Sequence, residues 1–387
     1  MEIKNLKRAA ERIKKAIEKN EKIILFGDAD MDGITSVIIL KETIENLNGK
    51  VEEIGFPDRE KDGYGLNEKA LASFKKYAPA LLVVMDCGIG NFKEIDLANK
   101  IGFEVIVIDH HEVLGKVPNA SIIIDPKQPG DNYPFKQLAT VGLVFYLSKV
   151  ILGKKLKKSL EKNFLELAAM ATIADMMPRI KDNKKIIEKG LESIRDSWRP
   201  GIQALFKTAS LNIEMFNYLS LGQQIEKIDS FLNIPEFKNG YPFVYLLLTS
   251  QDERKAEKIA TELFRKSLQK KEKIREIIDF LSKKYFNDKN PLIFDGDEGW
   301  ELILLGTVAS VLCQKFQKPV FLYKKNEKES PGSIRAPEGF NVVEALKSCS
   351  RYLITFGGHP QAAGFRVANN NLKKFKDCLI DYYKNDL

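Results

Sequence analysis

Histidine is almost missing from this chain: three residues in 387, at His110, His111 and His359. With so few incidental imidazoles, each is expected to serve metal or phosphate chemistry. No apolar stretch approaches the roughly 18 residues of a membrane span. Met1 to Asn20 mixes Lys, Arg and Glu at helical spacing and has no apolar signal core. The expected chain is a soluble, cytoplasmic protein with no membrane partner. The four cysteines, Cys87, Cys313, Cys349 and Cys378, form no C-x-x-C pair. That spacing argues against a zinc knuckle and a disulfide framework, so all four are expected reduced. Neither a G-x-x-x-x-G-K-[ST] loop nor a G-x-S-x-G elbow occurs, and the histidines fit no Ser-His-Asp order.

What is present is ordinary in bulk and specific in detail. Apolar content of 44% and charged content of 29% describe a globular protein, and the length implies two or three domains. The excess of 61 Lys and Arg over 53 Asp and Glu gives a net charge of +8, which suits a polyanionic partner.

From about residue 21 to 125, short apolar runs alternate with helical patterns. The runs are Lys22–Phe26, Val51–Phe56, Ala80–Met85, Glu104–Ile108 and Ser121–Ile124; the helical patterns are Ile34–Leu47, Leu66–Lys76 and Asn91–Lys100. Such alternation predicts an α/β fold with a doubly wound parallel sheet. Asp28, Asp86 and Asp109 each follow the last apolar residue of a predicted strand, at the carboxyl edge where open α/β sheets bind ligands. Residues 137–210 read as mainly helical, ending one small-residue helix at Asp175. Residues 211–290 read as a helical connector. From 291 a second, smaller α/β pattern has apolar runs at Pro291–Phe294, Glu301–Leu305 and Pro319–Tyr323 around a helix opening at Gly306. Glycine-rich turns are expected at Gly332-Ser333 and Gly357-Gly358. The expected organisation is a catalytic domain over 1–210, a connector over 211–290 and a substrate-binding domain over 291–387, with a cleft between the lobes.

Asp28, Asp30 and Asp32 alternate on a turn that enters a helix near Gly33. Carboxylates this close repel one another and need a cation to stay ionised. Oxygen ligands with one or two imidazoles suit Mn²⁺ or Mg²⁺ better than Zn²⁺. An EF-hand loop starting at Asp28 would need glutamate at its twelfth position, which is Ile39. Adjacent histidines on an extended backbone point to opposite sides, so His110 is expected to bind metal and His111 to face substrate or make a supporting contact. Asp86, before Cys87-Gly88, is placed to bridge two ions, and Asp175 is expected to turn inward as a further ligand. A bridged pair of ions would support in-line phosphodiester hydrolysis, with Asp86, His110 and His111 as its catalytic residues.

These residues resemble the DHH phosphoesterase superfamily and, within it, RecJ-like single-strand exonucleases. Asp28-Ala29-Asp30-Met31-Asp32-Gly33 is similar to that family's D-x-D-A-D-G. Pro57-Asp58-Arg59 and Gly63-Tyr64-Gly65-Leu66 resemble its P-x-R and GYGL stretches. Asp86-Cys87-Gly88, Asp109-His110-His111 and Thr172-Ile173-Ala174-Asp175 resemble the second to fourth motifs. In the C-terminal lobe, Gly332-Ser333-Ile334-Arg335 and Gly357-Gly358-His359 are similar to motifs of the DHH-associated domain.

The resemblance implies two Mn²⁺ or Mg²⁺ ions held by Asp28, Asp30, Asp32, Asp86, His110 and Asp175. It implies phosphate contacts from His111, Ser333, Arg335, Gly358 and His359. The implied partner is single-stranded nucleic acid, DNA rather than RNA, degraded from its 5′ end to mononucleotides. Three departures stand out. Trp300-Glu301-Leu302-Ile303 replaces a W-H-x-G motif, Leu221–Asn233 lacks the pattern G-P-R-x-N-A-A-G-R, and the sequence stops at Leu387 without the OB-fold of many RecJ proteins. Two other readings remain: a phosphodiesterase for short oligonucleotides, and a replication or repair scaffold on a degenerate DHH fold.

Overall fold

A computed structural model describes residues 2–59, 63–113, 115–232, 234 and 236–385. The chain divides into two compact units, Met1–Ser267 and Leu268–Leu387.

The first unit opens with α1 (Leu6–Glu18), β1 (Ile23–Gly27), α2 (Met31–Glu45), β2 (Val51–Gly55), α3 (Glu68–Phe74), β3 (Ala80–Met85), α4 (Phe92–Ile101), β4 (Phe103–Ile108) and β5 (Ile122–Ile124). The five strands form one parallel sheet in the order β2-β1-β3-β4-β5. Each strand lies within a residue or so of its predicted apolar run. Four of the runs are nearly continuous rather than alternating because helices cover both faces of the sheet, whereas β2, at the edge, carries Glu52 and Glu53 and is half-buried. Ile23 and Leu25 of β1 join the core shared with α1 and α2, whereas Ile24 and Phe26 join the core under α3 and α4.

Helices α5 (Thr140–Leu152), α6 (Lys158–Ala174), α7 (Lys181–Leu191), α8 (Pro200–Asn212) and α9 (Leu221–Leu232) follow. After them come a small hairpin of β6 (Phe237–Lys238) and β7 (Tyr241–Pro242), then α10 (Phe243–Leu248) and α11 (Glu253–Lys284). Ile225, Ile228 and Phe231 of α9 and Leu247 of α10 lie in the same core as α1 and α2. Arg199, 1% exposed, ties this layer together. Its guanidinium donates to both Glu42 oxygens at 2.8 and 2.6 Å and to the Leu248 carbonyl at 3.1 Å. Truncating it would leave the part-buried Glu42 carboxylate and a buried carbonyl without this donor, a loss of about 1–3 kcal/mol.

The second unit contains β8 (Ile293–Asp297), α12 (Leu302–Phe316), β9 (Val320–Lys324), β10 (Glu329–Arg335), α13 (Val342–Ser348), β11 (Leu353–His359), β12 (Ala362–Ala368) and α14 (Leu372–Asn385). Its sheet runs β11-β12-β10-β9-β8, with β8 and β9 parallel and the other pairs antiparallel.

Three expectations are corrected here. The apolar run at 301–305 is the first turn of α12 rather than a separate segment, because Leu304, Leu305, Val308, Ala309 and Leu312 recur at helical spacing and are buried together. Gly332-Ser333 and Gly357-Gly358 lie within β10 and β11 rather than in turns. At Gly332 a side chain would stand 2.3 Å from the Phe365 ring, so glycine serves packing between strands. Finally, Cys349 and Cys378 form a disulfide with Cα atoms 6.0 Å apart, overturning the expectation of four reduced cysteines. Cys87 and Cys313 are free and buried. No helix among the described residues is long and apolar enough to cross a membrane.

Candidate metal centre

In the first unit, β1, β3 and β4 each deliver an acid as they end. Asp28 follows β1, Asp86 follows β3 and Asp109 follows β4, and all are buried. The turn after β1 enters α2 so tightly that a Cβ on Gly33 would meet the Asp28 carbonyl oxygen at 2.3 Å, which fixes glycine there. Asp30 is the N-cap of α2, and its Oδ1 accepts from Gly33 N. Asp32, in the first turn of α2, accepts from the Thr140 and Val141 backbone N–H groups at 2.7 Å each. The N-terminus of α5 therefore aims its free N–H groups at a carboxylate. Asp86 sits at φ 59°, a conformation that Asp and Asn tolerate better than most residues. Its Oδ1 accepts from Thr140 Oγ1 at 3.2 Å. Asp175 is the C-cap of α6.

His110 Nε2 stands 3.5 Å from Asp86 Oδ1, 3.5 Å from Asp175 Oδ2 and 3.8 Å from Asp32 Oδ2. Burial and the neighbouring His111 pull the His110 imidazole down to about 4, so it is neutral and able to offer a lone pair. Burial and mutual repulsion push Asp32 and Asp86 well above the ordinary carboxylate range. Burial and Asp30 raise Asp175 to about 6, and its Oδ2 is buried without a hydrogen-bond partner. The acids around this neutral imidazole outnumber the cations that act on them, chiefly His111 and Lys127. Three sets of side chains bring ligand atoms within 4.8 Å of one another: Asp86, His110 and His111; Asp32, His110 and Asp175; and Asp28, Asp30 and Asp86. The donor set of carboxylate oxygens and imidazole suits a hard divalent cation.

His111 follows β4 on a bend and stays beside the centre, its ring centroid 4.7 Å from that of His110. Its Nδ1 lies 2.7 Å from Asp109 Oδ1, and this hydrogen bond raises the imidazole to about 9. The other Asp109 oxygen accepts from Ile89 N. Burial alone would raise Asp109, but the His111 and backbone bonds outweigh it and hold the carboxyl below its usual range.

In the second unit the register places Arg335 of β10 and His359 of β11 on either side of Ala362 in β12. Ser333 lies opposite Gly364, and Gly358 opposite Ala363. Arg335 Nη1 donates to the Ile334 carbonyl at 2.8 Å and to Ser333 Oγ at 3.4 Å. His359 and Gly358 are exposed.

Four polar residues near the centre were not singled out in the sequence. Arg59, noted only as part of a motif, donates from Nε and Nη2 to both Asp28 oxygens at 3.0 and 2.5 Å and from Nη2 to Asp30 Oδ2 at 2.8 Å. Thr140 binds both Asp32 and Asp86. Asp125, which follows β5, repeats the strand-end signal of Asp28 and Asp86; burial lifts it to about 7. Asp229 of α9 is raised to about 6 by burial and by Asp30 and Asp175. Nothing in the local sequence of α9 points to that placement.

Comparison with known proteins agrees with this geometry. Residues 22–172 match the DHH family N-terminal domain and residues 288–385 the DHHA1 domain. Over 392 residues the chain is 34% identical to the single-stranded-DNA-specific exonuclease RecJ of Bacillus subtilis (strain 168), covering 100% of this chain and 48% of that protein. The chain carries a DHH-family N-terminal domain followed by a DHHA1 domain.

The chain spans about half the length of the Bacillus subtilis relative. It is 26% identical over 400 residues to RecJ of Escherichia coli (strain K12), covering 97% of this chain and 68% of that one. Among solved structures, an exonuclease RecJ bound to manganese superposes with a TM-score of 0.86 at 25% identity, covering 99% of this chain and 95% of that one. RecJ in complex with Mn²⁺ from Thermus thermophilus has the same fold, with a TM-score of 0.82 at 24% identity over 100% of this chain and 55% of that one.

Proposed function

We propose that this chain is a two-metal exonuclease that hydrolyses the phosphodiester bonds of single-stranded DNA, working from the 5′ end and releasing 5′-mononucleotides. The observation that carries the reading is His110 Nε2 within 3.5–3.8 Å of three carboxylates delivered by α2, β3 and α6. Likeness to RecJ proteins named as single-stranded-DNA-specific exonucleases, one of them bound to manganese, supports the substrate and the metal. Asp28, Asp30, Asp32, Asp86, His110 and Asp175 would hold two Mn²⁺ or Mg²⁺ ions. Such ions, when bound, supply an attacking water of lowered pKa and charge stabilisation at the leaving oxygen.

The chain's own groups prepare that chemistry. The α5 backbone N–H groups hold Asp32 in place, and Thr140 orients Asp86. Asp109 holds His111 by Nδ1 and keeps the imidazole protonated at neutral pH, so Nε2 carries a proton to offer a phosphate or leaving oxygen. Residues 1–210 would carry the chemistry, and 291–387 would bind substrate through Ser333, Arg335, Gly358 and His359. Residues 211–290 would connect the two. Arg335 suits the task because a guanidinium forks onto phosphate oxygens. A cytoplasmic setting, where nucleic acid is met, goes with this reading.

The test is a Mn²⁺-dependent time course on 5′-labelled and 3′-labelled single-stranded DNA, with a matched RNA and a dinucleotide alongside. Immediate release of labelled mononucleotide from the 5′-labelled DNA alone is the expected result. Turnover of the dinucleotide alone would contradict it and favour a short-oligonucleotide phosphodiesterase.

A further inference from the structure

The ligand groups differ in what already occupies them. At Asp28, Oδ1 accepts from Ala29 N at 2.8 Å and from Arg59 Nε at 3.0 Å, while Oδ2 accepts from Arg59 Nη2 at 2.5 Å. At Asp30, Oδ1 accepts from Gly33 N and Oδ2 from Arg59 Nη2 at 2.8 Å. Every oxygen of these two carboxylates is therefore engaged, two of the three Arg59 bonds forming a fork on Asp28. The group around His110 differs in that no guanidinium bonds it: both Asp32 oxygens accept from the neutral Thr140 and Val141 backbone N–H groups. Asp175 Oδ2 has no hydrogen-bond partner, although it lies 3.5 Å from His110 Nε2. Arg59 is also held from outside, its guanidinium carbon 4.9 Å from the centre of the Tyr64 ring.

A guanidinium and a divalent cation compete for the same carboxylate lone pairs and repel each other at this distance. We propose that Arg59 is an internal counter-ion for the Asp28–Asp30–Asp86 group. An ion entering that group must displace the guanidinium, so this position fills after, and more weakly than, the Asp32–His110–Asp175 position. The inference rests on the two-ion reading above and adds an order of loading to it. Arg59 stabilises the ion-free site and sets a threshold for the second ion, so the centre is fully assembled only above a concentration that one residue controls.

Isothermal titration of the chelator-stripped protein with MnCl₂ tests this without reference to activity. Wild type should show a tight and a weak class of site. Arg59→Gln should tighten the weak class about tenfold, as expected when one charge-assisted contact need no longer be broken, and leave the tight class unchanged. Arg59→Lys, which keeps the charge but loses the fork over two carboxylates, should fall between. The Arg59→Gln protein should also melt earlier than wild type in EDTA and together with it in saturating Mn²⁺, which shows that the variant folds. A weak class that is unchanged or weakened in Arg59→Gln overturns the counter-ion role while leaving the two-ion reading intact. Absence of Mn²⁺ binding in wild type overturns the two-ion reading and this inference with it.

Discussion

In the first sheet the strand-end acids are sealed in: Asp28, Asp86 and Asp109 are 6%, 2% and 0% exposed. In the second sheet the corresponding polar residues face outward. His359 ends the edge strand β11, in which six of seven residues are exposed, and Arg335 ends β10 with its guanidinium resting on a neighbouring carbonyl. Burial decides what each set can do. A buried carboxylate is costly unless a cation accompanies it, so the first sheet forms a centre that demands counter-charge. A half-buried Arg335 and an exposed His359 carry charge at less cost and can offer it to an anion. On the proposed function, chemistry and substrate grip would be divided between the two sheets in line with this difference in burial.

The largest test of that division is Asp86→Asn, which preserves a residue suited to positive φ while removing the charge. Hydrolysis should fall on the order of 10³-fold, more than the 10–100-fold typical of a residue that only supports a ligand, with circular dichroism and melting unchanged. Retention of near-normal rates would remove Asp86 from the centre. Arg335→Ala should be milder and different in kind. Loss of one charge-assisted phosphate contact is worth about 1.5–3 kcal/mol, or roughly 10–100-fold in kcat/KM, carried mainly by KM. A pure kcat effect would put Arg335 in the chemistry and blur the division.

The second unit also carries the disulfide. Joining residues 29 apart in sequence is worth about 3–4 kcal/mol in the chain-entropy account. Cys349→Ser should therefore lower the denaturation midpoint without changing turnover per folded molecule. Thiol titration of unreduced, denatured protein should find two thiols, Cys87 and Cys313; four would contradict the bond.

The smallest expected effect belongs to Asp229. An unfolded aspartate ionises near pH 3.9, whereas the folded one is raised to about 6 by burial and by Asp30 and Asp175. The folded state therefore loses stability as pH rises from about 4 to about 6. Asp229 is partly exposed, so the loss is discounted to about 1 kcal/mol. Asp229→Asn should raise the ion-free melting temperature by about 2–4 °C at pH 7.5 and leave it unchanged at pH 4.

The inner strands β1, β3 and β4 were legible in the sequence because both faces of the sheet are covered there, so each is a nearly unbroken apolar run and the following acid stands out. Asp28, Asp86 and Asp109 were located by that signal, and Asp125 carries it too. The expectation that the adjacent histidines face opposite sides did not carry over: the chain bends after β4, and although His111 bonds Asp109, both rings stay beside Asp86. The role of Arg59 was not legible, since its contacts span 31 and 29 residues and depend on how the chain after β2 returns to the end of β1. Asp229 was hidden for a related reason: one acid on an amphipathic helix looks like a solvated face. Nor do scattered cysteines reveal a pair that α13 and α14 bring together.

The most direct test of the account is anomalous diffraction from crystals of the chain soaked in MnCl₂, recorded at the manganese edge. Two peaks are predicted, one bounded by Asp32, His110 and Asp175 and the other by Asp28, Asp30 and Asp86. No peak among these residues, or peaks only elsewhere on the molecule, would contradict the claim that the buried acids of the first sheet form a two-ion centre.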